Sequence, residues 1–240
     1  MNRLRRIGCL ASVGCVLACH ASPTAPAGAP AAPPDAEETQ SRTQVVVEGD
    51  ALFLLGTFDS ETPALIEGAL EATPDIDTLV FTANGGSVDD DATLALGRRL
   101  RARGIRTRVV ADGVIASGGV SLFLSGTERV VERGAKIGVH SWQHCWGDAD
   151  GQEPGCRQAM DHPRDDPGHA LHGEYTAQML GSRDFYWFAI EASPSDSIHW
   201  MTDAEIERFG LSTGGIADAS SPTPFGEAFT RERADVLGED

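Results

Sequence analysis

The chain has 240 residues, with 19 basic against 36 acidic side chains and a formal net charge of −17. That balance excludes a nucleic-acid binder, which needs a basic face for phosphates, and argues against broad contact with anionic lipid. Hydrophobic residues make up 41%, enough for a packed core, and no apolar run reaches the roughly 18 residues of a spanning helix.

The first segment reads as an export signal: Arg3, Arg5 and Arg6 precede a short apolar stretch over 7–17. Val16-Leu17-Ala18-Cys19 resembles the end of a bacterial lipoprotein signal, with Val where Leu is usual. On that reading 1–18 is removed and Cys19 carries the lipid. Residues 20–36 hold seven Ala and five Pro, a composition that buries nothing and forms an extended spacer. The expected organisation is a signal (1–18), an anchor and tether (19–43), a folded domain (44–218) and a polar C-terminal tail (219–240). The expected place is the bacterial cell envelope, lipid-anchored and facing the periplasm or the exterior.

Two short apolar runs, 45–47 and 52–55, flank a Glu-Gly-Asp turn and read as paired strands. Residues 62–72 read as a helix, with Thr62 at the cap and Pro63 in the first turn. A strand follows over 78–83, then the turn Asn84-Gly85-Gly86. A helix runs from a Ser87 cap to about 103, with Asp89, Asp90 and Asp91 at its positive end and Val88 turned inward. Strand 106–111, a short apolar helix over 117–125, and strands 128–132 and 136–141 come next. Residues 142–167 read as loop, 168–192 as one long helix, 203–209 as a small helix behind Thr202, and 211–216 as strand-like. Strands alternating with helices predict an α/β fold with mainly parallel pairing.

Of five Cys, Cys145 and Cys156 lie in the domain. In an exported protein they most simply form a disulfide across a small loop. The rival is a metal site with His144, His162, His169 or His172, whose spacing fits no familiar zinc pattern.

Three stretches could carry chemistry. In Val114-Ile115-Ala116-Ser117-Gly118-Gly119, a Ser surrounded by small residues opens a helix; its bland role is an N-cap. In Asn84-Gly85-Gly86-Ser87, glycines after a strand could supply half of an oxyanion hole, although a Gly-Gly turn alone is common. His140 closes the apolar run 137–139; there it is either a structural histidine or a rigidly held base.

Taken in this order and spacing, these stretches resemble the Clp protease proteolytic subunit and, more widely, the Clp/crotonase superfamily. Gly86 and Ser117 are 31 residues apart, and Ser117 and His140 are 23 apart. The block from His199 to Leu211 is similar to the family's short acidic helix with an aromatic-Gly-Leu ending. The resemblance covers about 45–216, closest to secreted, stand-alone relatives. It implies a single-domain spiral of repeated ββα units.

It also implies Ser117 as nucleophile, His140 as base, and the Gly86 and Gly118 N–H groups as oxyanion hole. For the third member, gapless alignment puts Ile198 where the family has Asp; Asp196, two residues upstream, is the candidate and Asp184 the second choice. The chain departs from the family in having Gly118-Gly119 after the nucleophile, where Met is usual. Segment 142–167 is also longer than the element that joins the family's rings, which argues against a double ring. A homo-oligomer is still implied, because relatives form trimers or larger rings.

The only Lys, Lys136, lies four residues before His140, where the family has no base, which disfavours a Ser–Lys dyad. An acyl-CoA reaction would need no nucleophilic Ser. The expected activity is ATP-independent hydrolysis of a peptide or protein by acyl transfer, with no cofactor. Two alternatives stand beside it: a non-catalytic Clp-like module that binds peptides or assembles at the envelope, and a metal-dependent protein using 144–172.

Overall fold

The computed structural model describes residues 42–147, 155–218 and 223–239. The signal and Cys19 lie outside these residues, as does most of the tether. Thr39–Asp240 forms one compact unit.

Strands β1 (Gln44–Glu48) and β2 (Ala51–Leu55) make the expected antiparallel hairpin. Helix α1 (Thr62–Ala72) begins with Pro at N1/N2, where a missing N–H costs nothing. It buries Ile66 and Leu70 but leaves Leu65 exposed. Strand β3 (Thr78–Asn84) pairs parallel with β2, and β4 (Arg106–Ala116) parallel with β3. Between them runs α2 (Asp90–Ala102). Its cap is Asp89, whose side chain accepts from the Ala92 N–H; Ser87 instead donates to Asp90. Val88, expected inward, is 65% exposed, because it precedes the helix and escapes its buried stripe of Leu94, Leu96 and Leu100.

Strand β4 is longer than 106–111 because it serves two partners. Its first half pairs parallel with β5 (Arg129–Glu132), and Val114–Ala116 pairs parallel with β6 (Lys136–Val139). The change of partner comes at Gly113, where a Cβ would lie 2.8 Å from the Val110 carbonyl. Helix α3 (Gly118–Phe123) packs on α2, β4 and β6. Strand β9 (His199–Trp200) pairs antiparallel with β6, and β10 (Ile216–Ala217) parallel with β5. The result is a mixed α/β fold on one mostly parallel eight-stranded sheet. Phe58, Phe81 and Phe123 meet edge-to-face in its core, at centroid distances of 6.3 and 5.9 Å. Each such pair adds about 1 kcal/mol beyond its burial.

Four further expectations are corrected. Residues 142–167 are not all loop: β7 (Gln143–Trp146) and β8 (Gly155–Gln158) form a hairpin in which Cys145 faces Cys156 and bonds to it. The long helix is two, α4 (Pro167–Leu180) and α5 (Asp184–Ala192), because Gly181 turns left-handed at φ +88°. Strand-like 211–216 shrinks to β10. The segment before it is held by the buried guanidinium of Arg129, which donates to the carbonyls of Gly126, Gly210 and Leu211. Burial pulls that guanidinium down to about 10. Helix α6 (Asp203–Arg208) keeps its Thr202 cap, with Glu205 completing a capping box.

Last, the polar tail contains a helix, α7 (Glu227–Leu237). It packs on β3 and β4, with Phe225, Phe229, Val236 and Leu237 against Leu55, Ala83 and Val114.

Candidate active site

Three neighbouring parallel strands deliver three pieces of the site. The β3–β4 register pairs Asn84 with Ile115, so Gly85-Gly86 emerges beside Ala116-Ser117. The β4–β6 register pairs Ala116 with Gly138, and the Ser117 N–H donates to the Gly138 carbonyl at 3.2 Å. Ser117 and His140 therefore leave adjacent strand ends. Carboxyl ends of parallel strands are where open α/β sheets bind ligands.

Ser117 is not a helix cap in the ordinary sense: its side chain makes no cap hydrogen bond. Its backbone sits at φ +51°, ψ −121°, and among the described residues no other non-glycine residue has positive φ. Such a conformation costs about 1–3 kcal/mol and persists only where the surroundings enforce it. Here the enforcement is steric. A Cβ on Gly118 would fall 2.6 Å from the Ser87 Cβ and 2.8 Å from its nitrogen. A Cβ on Gly119 would fall 2.5 Å from the Asn84 carbonyl. Gly118-Gly119 thus lets α3 pack directly on the Asn84–Ser87 turn.

Gly86 lies alongside, with φ +155°. Its missing Cβ would be 3.3 Å from the Ser117 Cβ and 4.0 Å from the Gly118 nitrogen. Among the described residues no acceptor takes the N–H of Gly86 or Gly118. Gly118 is at the start of a helix, where such groups are left over.

Ser117 and His140 line one cleft of about 670 Å³ with Gly86 and Ile198. Its far wall is α7, through Asp235 and Val236, whose Cγ2 lies 3.0 Å from where a Gly85 Cβ would be. A second, smaller pocket of about 90 Å³ opens on the other side of Ser117. Its walls include Val120, Leu124, Val139, Phe185 and Ile190, with Asp90 and His172 also present. His172 Nε2 lies 3.6 Å from Asp90 Oδ2. Burial holds the His172 imidazole below its ordinary pKa and His169 adds to that, against an upward pull from Asp90 and Asp91.

Ser117, His140, Gly86 and Gly118 are thus brought together; Asp196 is not. It is exposed in the turn after α5, and no hydrogen bond joins it to His140. The turn is pinned elsewhere: the Ser195 N–H donates to Gln158 Oε1 and the Ser195 hydroxyl to Gln143 Oε1. Asp184 is exposed at the start of α5. The contact made by the His140 ring is at 2.8 Å between Nδ1 and the Ser141 carbonyl. No hydrogen bond joins Ser117 to His140 in this state, as is common before substrate binds. Lys136 sits at the far, exposed end of β6.

Sequence reasoning missed two parts. The α7 wall was legible only as an apolar stripe at 225, 229 and 236, diluted by charge. The Ser141 carbonyl has no side-chain signature. Among the described residues, no three His, Cys, Asp or Glu side chains converge as a metal site would need.

No family model and no curated protein matches this chain. Among solved structures it is similar to an enoyl-CoA hydratase from Polaromonas sp. JS666, at 14% identity over 83% of this chain and 77% of that one, TM-score 0.43. It is also similar to the ClpP protease catalytic domain from Plasmodium falciparum, at 12% identity over 70% of this chain and 86% of that one, TM-score 0.45.

Proposed function

We propose that the protein is a serine hydrolase, acting on peptides without ATP. The observation that carries this reading is the Ser117 backbone: a strained serine at a strand–helix turn, flanked by two unpaired glycine N–H groups and sharing a cleft with His140. Strain of this kind concentrates at functional sites.

In the proposed reaction His140 Nε2 takes the Ser117 hydroxyl proton as Oγ bonds to the substrate carbonyl carbon. The carbonyl oxygen becomes an oxyanion held by the N–H groups of Gly86 and Gly118. Collapse of that intermediate breaks the C–N bond, and the leaving amine takes the proton from His140. Water then repeats the sequence on the acyl-enzyme and frees Ser117. None of these steps requires a cofactor. The small apolar pocket beside Ser117 has room for one medium-sized apolar side chain of the substrate.

The missing Ser117–His140 hydrogen bond favours a second reading, a peptide-binding module without catalysis. One experiment separates the two. A fluorophosphonate probe is expected to label the wild-type chain and neither Ser117→Ala nor His140→Ala. A folded wild-type chain that stays unlabelled sinks the hydrolase reading. Export and lipid anchoring at Cys19 belong to the same proposal; the disulfide supports an oxidising compartment. A homo-oligomer also belongs to it, on the resemblance alone.

A further inference from the structure

Resting on the hydrolase reading, we propose that Ser141 is the positioning residue of the site. Its main-chain carbonyl does the work that a carboxylate does in a Ser–His–Asp group, and its hydroxyl holds that carbonyl in place.

The argument starts at the His140 ring. Nδ1 lies 2.8 Å from the Ser141 oxygen. A carbonyl only accepts, so Nδ1 must carry the proton and Nε2 must carry the lone pair. That is the tautomer a general base needs toward Ser117, and it is the one an aspartate would impose. No described carboxylate bonds the ring: Asp196 is exposed in its own turn, and Asp90 faces His172.

A carbonyl orients a ring only if it is itself fixed, and Ser141 is fixed from three directions. The residue is 1% exposed. Its N–H donates to the Ser193 carbonyl at 2.8 Å. Its hydroxyl donates to the Trp142 carbonyl at 2.9 Å and accepts from the Ala159 N–H at 3.2 Å. Ala159 is fully buried just past β8, and its N–H also reaches the Trp142 carbonyl at 2.9 Å. The Ser141 N–H ties down the peptide unit before the accepting carbonyl and the hydroxyl ties down the one after it, so the unit that presents the accepting oxygen is held from both sides. Removing the hydroxyl leaves the carbonyl present but less constrained.

The test reads the ring directly. The full-length chain is labelled with ¹⁵N-histidine, and the His140 signals are assigned by their loss in His140→Ala. At a pH where the ring is neutral, wild type is expected to show a protonated Nδ1 and an unprotonated Nε2. Ser141→Ala is expected to give a tautomer mixture and at least a tenfold slower fluorophosphonate inactivation step, with the probe's binding constant unchanged. Ser141→Thr, which keeps the hydroxyl, should restore the wild-type pattern, and Asp196→Ala should leave ring and rate untouched. A protonated Nε2 in wild type, or loss of the pattern in Asp196→Ala, overturns the proposal. The expected tautomer in a chain that the probe never labels supports the orientation and sinks only the hydrolase reading.

Discussion

At Ser117 the glycine that follows makes a prediction. Gly118 must be small because Ser87 occupies the place of its Cβ. Gly118→Ala should therefore push α3 off the Asn84–Ser87 turn and misplace one oxyanion donor. Losing such a donor costs about 3 kcal/mol of transition-state stabilisation, roughly a hundredfold or more in rate. The check is the rate of fluorophosphonate labelling, beside a circular-dichroism melt that shows the fold intact. His172 makes a prediction of a different sort. Burial depresses its pKa, so the unfolded chain binds a proton near pH 6.5 that the folded chain refuses. Stability is thus full above that pH and falls as pH drops from about 6.5 toward the folded value. His172→Phe, which keeps a flat ring between Trp142 and Tyr186, should flatten this slope; urea midpoints at three pH values between 7.5 and 5.5 would measure it. A slope unchanged in the variant would assign it elsewhere. The depressed carboxylates operate in a lower window. Asp166 is held down first by the Gly168 N–H and Glu205 first by the Thr202 N–H, so their contribution is lost only as pH falls below about 4.

Among the elements, α7 walls the site and the β7–β8 hairpin holds the disulfide. The hairpin carries both domain cysteines in direct register, exposed on a two-stranded sheet. The chain with this bridge intact should therefore offer no free thiol within 44–240 until it is reduced; full labelling by maleimide without reduction would refute the bridge. These two elements also mark the limit of what the sequence discloses. The hairpin strands hold Gln, His, Arg and a single Trp, which give no alternating apolar signal. Strands β3, β4 and β6, by contrast, are buried and rich in Val, Ile, Leu and Ala, and each was legible. Helix α7 lies between these extremes. Its apolar residues recur at helical spacing, but Glu227, Arg231, Arg233 and Asp235 surround them. Composition over that stretch reads as a solvated tail, and only the sheet face under Phe229 makes it a wall.

For the molecule as a whole, the residues that chain spacing pointed to are the ones the parallel strands assemble. Gly86, Ser117 and His140 were legible because each follows a recognisable strand. Asp196 was misread because a loop's path is set by tertiary ties, here Ser195 to Gln143 and Gln158. The N-terminal signal is a whole-chain property and makes the last prediction. If Cys19 is the anchor, cells expressing the chain should incorporate labelled palmitate into it, and Cys19→Ser should abolish incorporation. Incorporation that survives the substitution would remove Cys19 as the anchor.

The assembly of the site from three strand ends has a consequence in time. Gly86, Ser117 and His140 are distant along the chain and become neighbours only once β3, β4 and β6 have paired. An extended chain carries the serine, the histidine and the glycines, yet holds no reactive nucleophile. A hydrolase proposed for export is in this way inert for as long as its chain is unfolded. On the hydrolase reading, reactivity begins only with the last of those pairings.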